Sequence, residues 1–315
     1  MLEIKTRKLI LMNDKTKAAG ISIFSNTLLI ISKMIVGLFT NSVSIISEAV
    51  HSFMDLLAAV IAFLSVKKAA IPADDDHQYG HGKYEDFSGF TEGLLILIAA
   101  GYIIYESIGK LLSGKIDYID SVAGIMVMGL SVVLNLIVSR NLFKVAKKTD
   151  SMALLADAEH LRTDILTSVG VLIGLVLIKV TGLKVLDPIV AILVAILIIK
   201  AGMTLCISSM KNLLDSSLPE EHLETIKVVL KEYSIDKILS YNNLKTRKAG
   251  AQKLIEVTLI MPKDLHLKDS HRLCDAIEAD LKKNISNAFI TIHTEPCDSV
   301  CHVCSFRSVD GCIYS

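Results

Sequence analysis

Six apolar stretches long enough to cross a membrane run through the first two thirds of the chain, at about residues 17–40, 44–66, 87–110, 121–142, 153–180 and 185–206. A spanning helix needs roughly 20 mainly apolar residues. With 52% hydrophobic residues in 315, the chain is too apolar for an ordinary soluble domain of this size. Its 33 basic and 33 acidic residues cancel, so no basic excess suggests nucleic-acid binding. The expected fold class is an α-helical membrane protein with six transmembrane helices, residues 17–212, followed by a C-terminal α+β domain.

Residues 1–16 mix charges around a short apolar run and lack the order of a signal peptide; they read as a cytoplasmic leader. The leader and the even-numbered loops carry Lys5, Arg7, Lys8, Lys15, Lys17, Lys67, Lys68, Lys83, Arg140, Lys144, Lys147 and Lys148. The odd-numbered loops carry Lys110, Lys115, Lys179 and Lys184. The positive-inside rule then puts both termini in the cytoplasm. The compact length and the missing targeting segment suit a prokaryotic plasma membrane.

After about residue 213 the pattern becomes amphipathic and alternating. SLPEEHLETIKVVLKEY has helix spacing, LIEVTLIM and AFITIHTEP read as strands, and LKDSHRLCDAIEADLKKNI as a second helix. With a weaker strand near 236–246 the order is α-β-β-α-β over residues 213–297, and 298–315 form a Cys-rich tail.

Two of the apolar segments carry the same pattern. SEAVHSFMDLLAAV holds Glu48, His51 and Asp55; ADAEHLRTDILTSV holds Asp157, His160 and Asp164. Residues four apart share a helix face. Each helix thus offers one imidazole and one carboxylate to the same point, and two helices supply His51, Asp55, His160 and Asp164. Tetrahedral Zn²⁺ accepts this mixed set, whereas Ca²⁺ and Mg²⁺ want more ligands and mainly oxygens. Co²⁺, Fe²⁺, Cd²⁺ or Ni²⁺ can use the same groups. Intramembrane charges can also be structural, paired with one another, yet a doubled pattern is costly to keep for that purpose alone. Glu48 and Asp157 approach the same face as supporting groups or proton carriers.

The loop AIPADDDHQYGHGKYEDF offers His77 and His81 with a carboxylate from Asp74, Asp75 or Asp76 as a more exposed second site, with Pro72, Gly80 and Gly82 favouring an ordered loop. A solvated acidic loop that gathers cations without a discrete site is the alternative. In the tail, Cys297, Cys301, Cys304 and Cys312 bring thiols close together, which in a reducing compartment suits capture of soft metal. A disordered tail with incidental cysteines is the plainer reading.

These residues resemble the cation diffusion facilitator family over about residues 7 to 297. The paired HxxxD pattern, YGHGKYE (79–85), LADAEHLRTDILTSVGVLIG (155–174), NNLKTRKAG (242–250) and TIHTEPC (291–297) follow in the family's order. The resemblance implies a homodimer in the lipid bilayer, a ferredoxin-like cytoplasmic domain, and export of Zn²⁺ against protons by alternating access. The His–Asp/His–Asp form of the repeat goes with zinc more than with Mn²⁺. The resemblance also implies that Zn²⁺ serves as transported substrate and as a structural or regulatory ion. Lys83 and Asp215 match an interlock between the membrane part and the cytoplasmic domain at the dimer interface. Asp74, His77 and His81 match the family's loop site, and His271 and His293 match cytoplasmic metal ligands. Asn242 and Thr258 stand where some relatives carry further histidines, which puts a two-metal cytoplasmic site in doubt.

No P-loop is present, so a proton gradient is the simple energy source. Three rivals remain. A membrane zinc hydrolase would want three protein ligands and an open position, and no HExxH occurs. A metal sensor would not need the buried repeat, and a passive channel would show no proton coupling.

Overall fold

The computed structural model describes residues 2–40, 43–113, 122–181, 185–234, 238–297, 307–308 and 311–312. The chain divides into two compact units, residues 1–213 and 214–315.

The first unit is made of six long helices: α1 (Leu2–Thr40), α2 (Val43–Ala69), α3 (Lys83–Ser113), α4 (Val122–Thr149), α5 (Met152–Thr181) and α6 (Leu186–Leu213). Several run past their apolar stretch. α3 begins at Lys83 rather than 87, α4 reaches Thr149 rather than 142, and α6 reaches Leu213 rather than 206. The added turns are rich in Lys, which favours helix, and hold no Gly or Pro. They also place charge where the helix dipole favours it: Glu85 and Asp86 in the first turn of α3, and Lys147, Lys148 and Lys211 in the last turns of α4 and α6. Residues 2–16 continue α1 as helix.

Among the described residues, four segments are long and apolar enough to cross a membrane: Asn13–Val36, Lys83–Leu112, Gly129–Thr149 and Pro188–Leu213. The unit is built inside out relative to a soluble bundle. Phe24, Phe39, Tyr105, Leu112 and Leu193 face outward. Ser22, Asn26, Asp55, Glu92, Asn135, Asp157 and His160 are buried. That is the arrangement expected when the surrounding solvent is hydrocarbon and the polar groups line an interior path.

Small residues set the packing. Ala18, Ala19, Ala62, Ala153 and Ala158 lie in one buried cluster with Leu142, Leu154 and Leu161. α3 and α6 pack closely at glycines. A Cβ on Gly93 would stand 2.6 Å from Cys206 Sγ and 3.3 Å from the Gly202 carbonyl oxygen, and one on Gly89 2.7 Å from Ser209 Oγ. The missing side chains let the two helices approach closely.

A buried polar knot closes the end of the unit where α3 begins. Lys15 Nζ on α1 donates to Glu85 Oε1 on α3 at 2.6 Å, and Ser151 Oγ, just before α5, donates to the other oxygen of the same carboxylate. Outside it, Lys148 pairs with Asp14 at 2.7 Å. Asp86, fully buried, accepts from Asn212 Nδ2 at 2.8 Å and so ties α3 to α6.

The second unit has the order α7 (Glu220–Ser234), β1 (Ser240–Ala249), β2 (Gln252–Met261), α8 (Leu267–Asn284) and β3 (Ala288–Pro296). This is the expected α-β-β-α-β order. The sheet order is β1-β2-β3, with β1 antiparallel and β3 parallel to the central β2. The β1–β2 turn uses Gly250 at φ 58°. A parallel return needs a crossover, and α8 supplies it. Ile226 and Leu230 of α7, Ile255 and Leu259 of β2, and Ile277 and Leu281 of α8 fill one core. A two-residue ladder, β4 (Arg307–Ser308) with β5 (Gly311–Cys312), follows.

Candidate metal centre

α2 and α5 pack against each other and bring three of the repeat's four groups together. Asp55 Oδ1 lies 3.3 Å from His160 Nε2. One ligand atom from each of Asp55, His160 and Asp164 lies within 4.8 Å of the others. Both Asp55 and His160 are buried. The side chains of His51 and Glu48 lie outside the described residues; the backbone of His51 is helical, four residues before Asp55.

The surroundings fix this cluster. Asn26 Nδ2 of α1 donates to the Asp55 carbonyl at 3.5 Å. Lys33 Nζ, also on α1, donates to Ser52 Oγ at 2.7 Å, so a buried ammonium stands one residue from His51. On α5, Thr163 and Thr167 donate their hydroxyls to the carbonyls of Glu159 and Asp164, which satisfies them within the helix. His160 Nδ1 is buried without a hydrogen-bond partner among the described residues. Two carboxylates and an imidazole converging in a buried pocket fit a dication better than they fit one another.

The loop before α3 forms a second cluster. Ligand atoms of Asp74, His77 and His81 lie within 4.8 Å of one another. The His77 backbone N–H donates to Asp74 Oδ1 at 2.7 Å, and this bond holds the Asp74 carboxyl below its ordinary pKa. His81 Nδ1 faces the Pro72 carbonyl at 3.2 Å, which assigns the proton to Nδ1. Nε2 is buried 3.4 Å from Asp74 Oδ2, without a hydrogen-bond partner among the described residues. A cation or a proton between the two atoms would satisfy both. The His77 and His81 rings sit 4.4 Å apart by centroid, and Tyr84 stacks on His81 at 5.9 Å. Asp75 and Asp76 are exposed and stay out of the cluster.

The remaining expected residues lie outside these two clusters. His271 lies on α8, 3.7 Å from Asp275, and His293 on β3, 3.6 Å from Glu295; all four are exposed. Neither histidine belongs to a three-ligand group among the described residues. The register puts Asn242 opposite Thr258 and Thr258 opposite His293, so the two substituted positions stand in one row with His293. Lys83 Nζ donates to the Leu213 carbonyl at 3.1 Å, and Asp215, at φ 56°, pairs with Arg247 at 3.2 Å. Cys297 is half-buried. The side chains of Cys301, Cys304 and Cys312 lie outside the described residues.

Sequence reasoning missed Glu92, Lys33 and the Lys15–Glu85–Ser151 knot. Glu92 and Lys33 each left one signal, a charge inside an apolar run, but neither repeats elsewhere in the chain.

The cation efflux transmembrane domain model matches residues 20–214, and the cation efflux protein cytoplasmic domain model matches residues 218–297. The chain belongs to the cation efflux, or cation diffusion facilitator, family. This cation efflux protein is 36% identical over 258 residues to an uncharacterized transporter of Synechocystis sp., covering 82% of each chain. It is 30% identical to an uncharacterized transporter of Methanocaldococcus jannaschii, covering 89% of this chain and 99% of that one. It is 29% identical to the manganese efflux system protein MneP of Bacillus subtilis, covering 89% of this chain and 95% of that one. The family is one of membrane transporters of divalent cations.

Proposed function

We propose that this cation efflux protein exports a divalent transition metal, Zn²⁺ by preference, from the cytoplasm in exchange for protons. It would act as a homodimer in the plasma membrane with both termini cytoplasmic. The observation that carries this reading is the convergence of Asp55, His160 and Asp164 from two buried helix faces. His51, four residues before Asp55, would complete a tetrahedral set. The loop cluster of Asp74, His77 and His81 would collect metal at the cytoplasmic mouth, where its exposed oxygens meet water first.

Proton exchange follows from the ligand types. Metal binding requires neutral imidazole and ionised carboxylate, so the same set holds either a dication or protons near neutral pH. Metal binding from inside would release protons, and protonation from outside would release metal. Two imidazoles favour Zn²⁺ over hard oxygen-seeking ions. The likeness to MneP supports a second reading in which Mn²⁺ is the cargo.

The test is uptake into inverted vesicles or proteoliposomes under an imposed pH gradient, with Zn²⁺ and Mn²⁺ supplied separately. Wild type should take up Zn²⁺ with proton counterflow, and Asp55→Ala and Asp164→Ala should each abolish it. Uptake of Mn²⁺ alone would move the assignment to manganese. Normal transport by both variants would sink the site.

A further inference from the structure

Outside the two metal clusters, the membrane unit has a groove at the end of α2 that meets the loop before α3. It holds about 420 Å³ and is lined by Leu64, Ser65, Lys67, Lys68, Ile71 and Tyr84. Lys67 and Lys68 form the basic last turn of α2. Both are exposed, and neither pairs with a carboxylate among the described residues. The acidic loop that follows does not neutralise them, because the Asp74 carboxylate is turned to His77 and His81. Lys68 Nζ stands instead over the ring of Tyr84, 5.8 Å from its centroid. The same ring stacks on His81 at 5.9 Å, so this wall of the groove is held in place from the loop side.

The groove makes two different demands on an occupant. Leu64, one turn deeper in the apolar run of α2, is 56% exposed, and Ile71 is 41% exposed. That aliphatic surface suits hydrocarbon. The two ammonium groups beside it want an anion. Tyr84 stands at the junction with a ring for the apolar side and a hydroxyl for the wet side, as aromatic residues do at membrane boundaries. One kind of molecule meets both demands. An anionic phospholipid can set its phosphate between Lys67 and Lys68 and lay an acyl chain along Leu64. Basic pockets between helices at a membrane surface take such headgroups. A free phosphate would satisfy the lysines and leave the aliphatic wall bare.

We propose that this groove binds an anionic phospholipid of the leaflet that the loop faces, with Lys67 and Lys68 holding the headgroup phosphate and Leu64 and Tyr84 seating the chain. The site depends neither on which metal is the cargo nor on which side of the membrane the loop lies. It adds to the proposed transport a contact with one class of lipid.

The test uses the full-length protein in a neutral maltoside detergent, titrated with dioleoyl phosphatidylglycerol or dioleoyl phosphatidylcholine, with bound lipid counted by native mass spectrometry. Each lysine beside an anionic headgroup favours it by about fivefold, so wild type should hold phosphatidylglycerol about thirtyfold more tightly than phosphatidylcholine. The double variant Lys67→Gln/Lys68→Gln should bring the two lipids level. The same charge change at the end of α4, Lys144→Gln/Lys147→Gln, should leave the preference intact. A wild type without the preference, or a Lys67→Gln/Lys68→Gln variant that keeps it, overturns the proposal. Equal loss in both double variants overturns it as well, since that is general attraction to a basic surface. So does displacement of the bound lipid by equimolar glycerophosphoglycerol, the headgroup without its chains, which would make the groove a plain anion site.

Discussion

Glu85 holds three helices at one point, and cutting its charge should be expensive. The carboxylate accepts from Lys15 at 2.6 Å and from Ser151, with only 11% of the lysine side chain and 4% of the glutamate exposed. Breaking a buried ion pair from one side costs about 3–5 kcal/mol, because the abandoned charge stays desolvated. Lys15 stands near the end of its span and can relax toward water, so a cost at or just below the bottom of that range applies. Glu85→Gln keeps an acceptor for Ser151 and should cost about 2–3 kcal/mol. Lys15→Met should cost a similar amount. The double variant removes both charges and should cost little more than either single change, giving a coupling of about 2 kcal/mol. The assay is reversible unfolding in mixed micelles, followed by circular dichroism, for wild type, both singles and the double. Additive costs, with coupling below about 0.5 kcal/mol, would show that water already solvates each charge and would refute the burial argument.

Gly93→Ala should destabilise the membrane unit by about 1–3 kcal/mol, because the new methyl meets Cys206 Sγ at 2.6 Å and the Cys206 nitrogen at 3.1 Å. Gly101→Ala, with nothing within 4 Å, is the control and should be neutral or mildly stabilising in the same unfolding assay. In the second unit, Tyr233 donates to Asp280 Oδ2 at 2.5 Å, and this bond holds the phenol up at about 12. Since the folded pKa exceeds the unfolded value of about 10, the stabilisation is complete below that pH and is lost as pH rises toward the folded value. Tyr233→Phe should remove a phenolate titrating near 12 from the ultraviolet pH titration of the full chain; an unchanged titration would refute the assignment.

The membrane unit was legible because hydropathy over a span and the paired HxxxD spacing are both local. The periodicity of SLPEEHLETIKVVLKEY and the alternation of AFITIHTEP made the second unit legible for the same reason. Pro72 and Gly80 marked the ordered loop, and Gly80 does sit at φ 81°. What escaped was pairing across helices. No local pattern announces that Lys15 meets Glu85, or that Asn212 meets Asp86, because each contact joins distant segments whose rotation about the helix axis is set by packing. Helix ends escaped too, because hydropathy marks where apolar residues stop and backbone hydrogen bonding continues for another turn or two.

The knot at Glu85 also joins residues made at different times. Lys15 precedes Glu85 by 70 residues and Ser151 follows it by 66. At a synthesis rate of about 5–20 residues per second, Ser151 emerges roughly 3–13 seconds after its acceptor. For that interval the nascent chain can pair Lys15 with Glu85 but cannot complete the carboxylate's second bond. The order of emergence makes the arrival of α5 the last stitch at this end, so a chain arrested before residue 151 would carry a half-tied seam open to proteolysis.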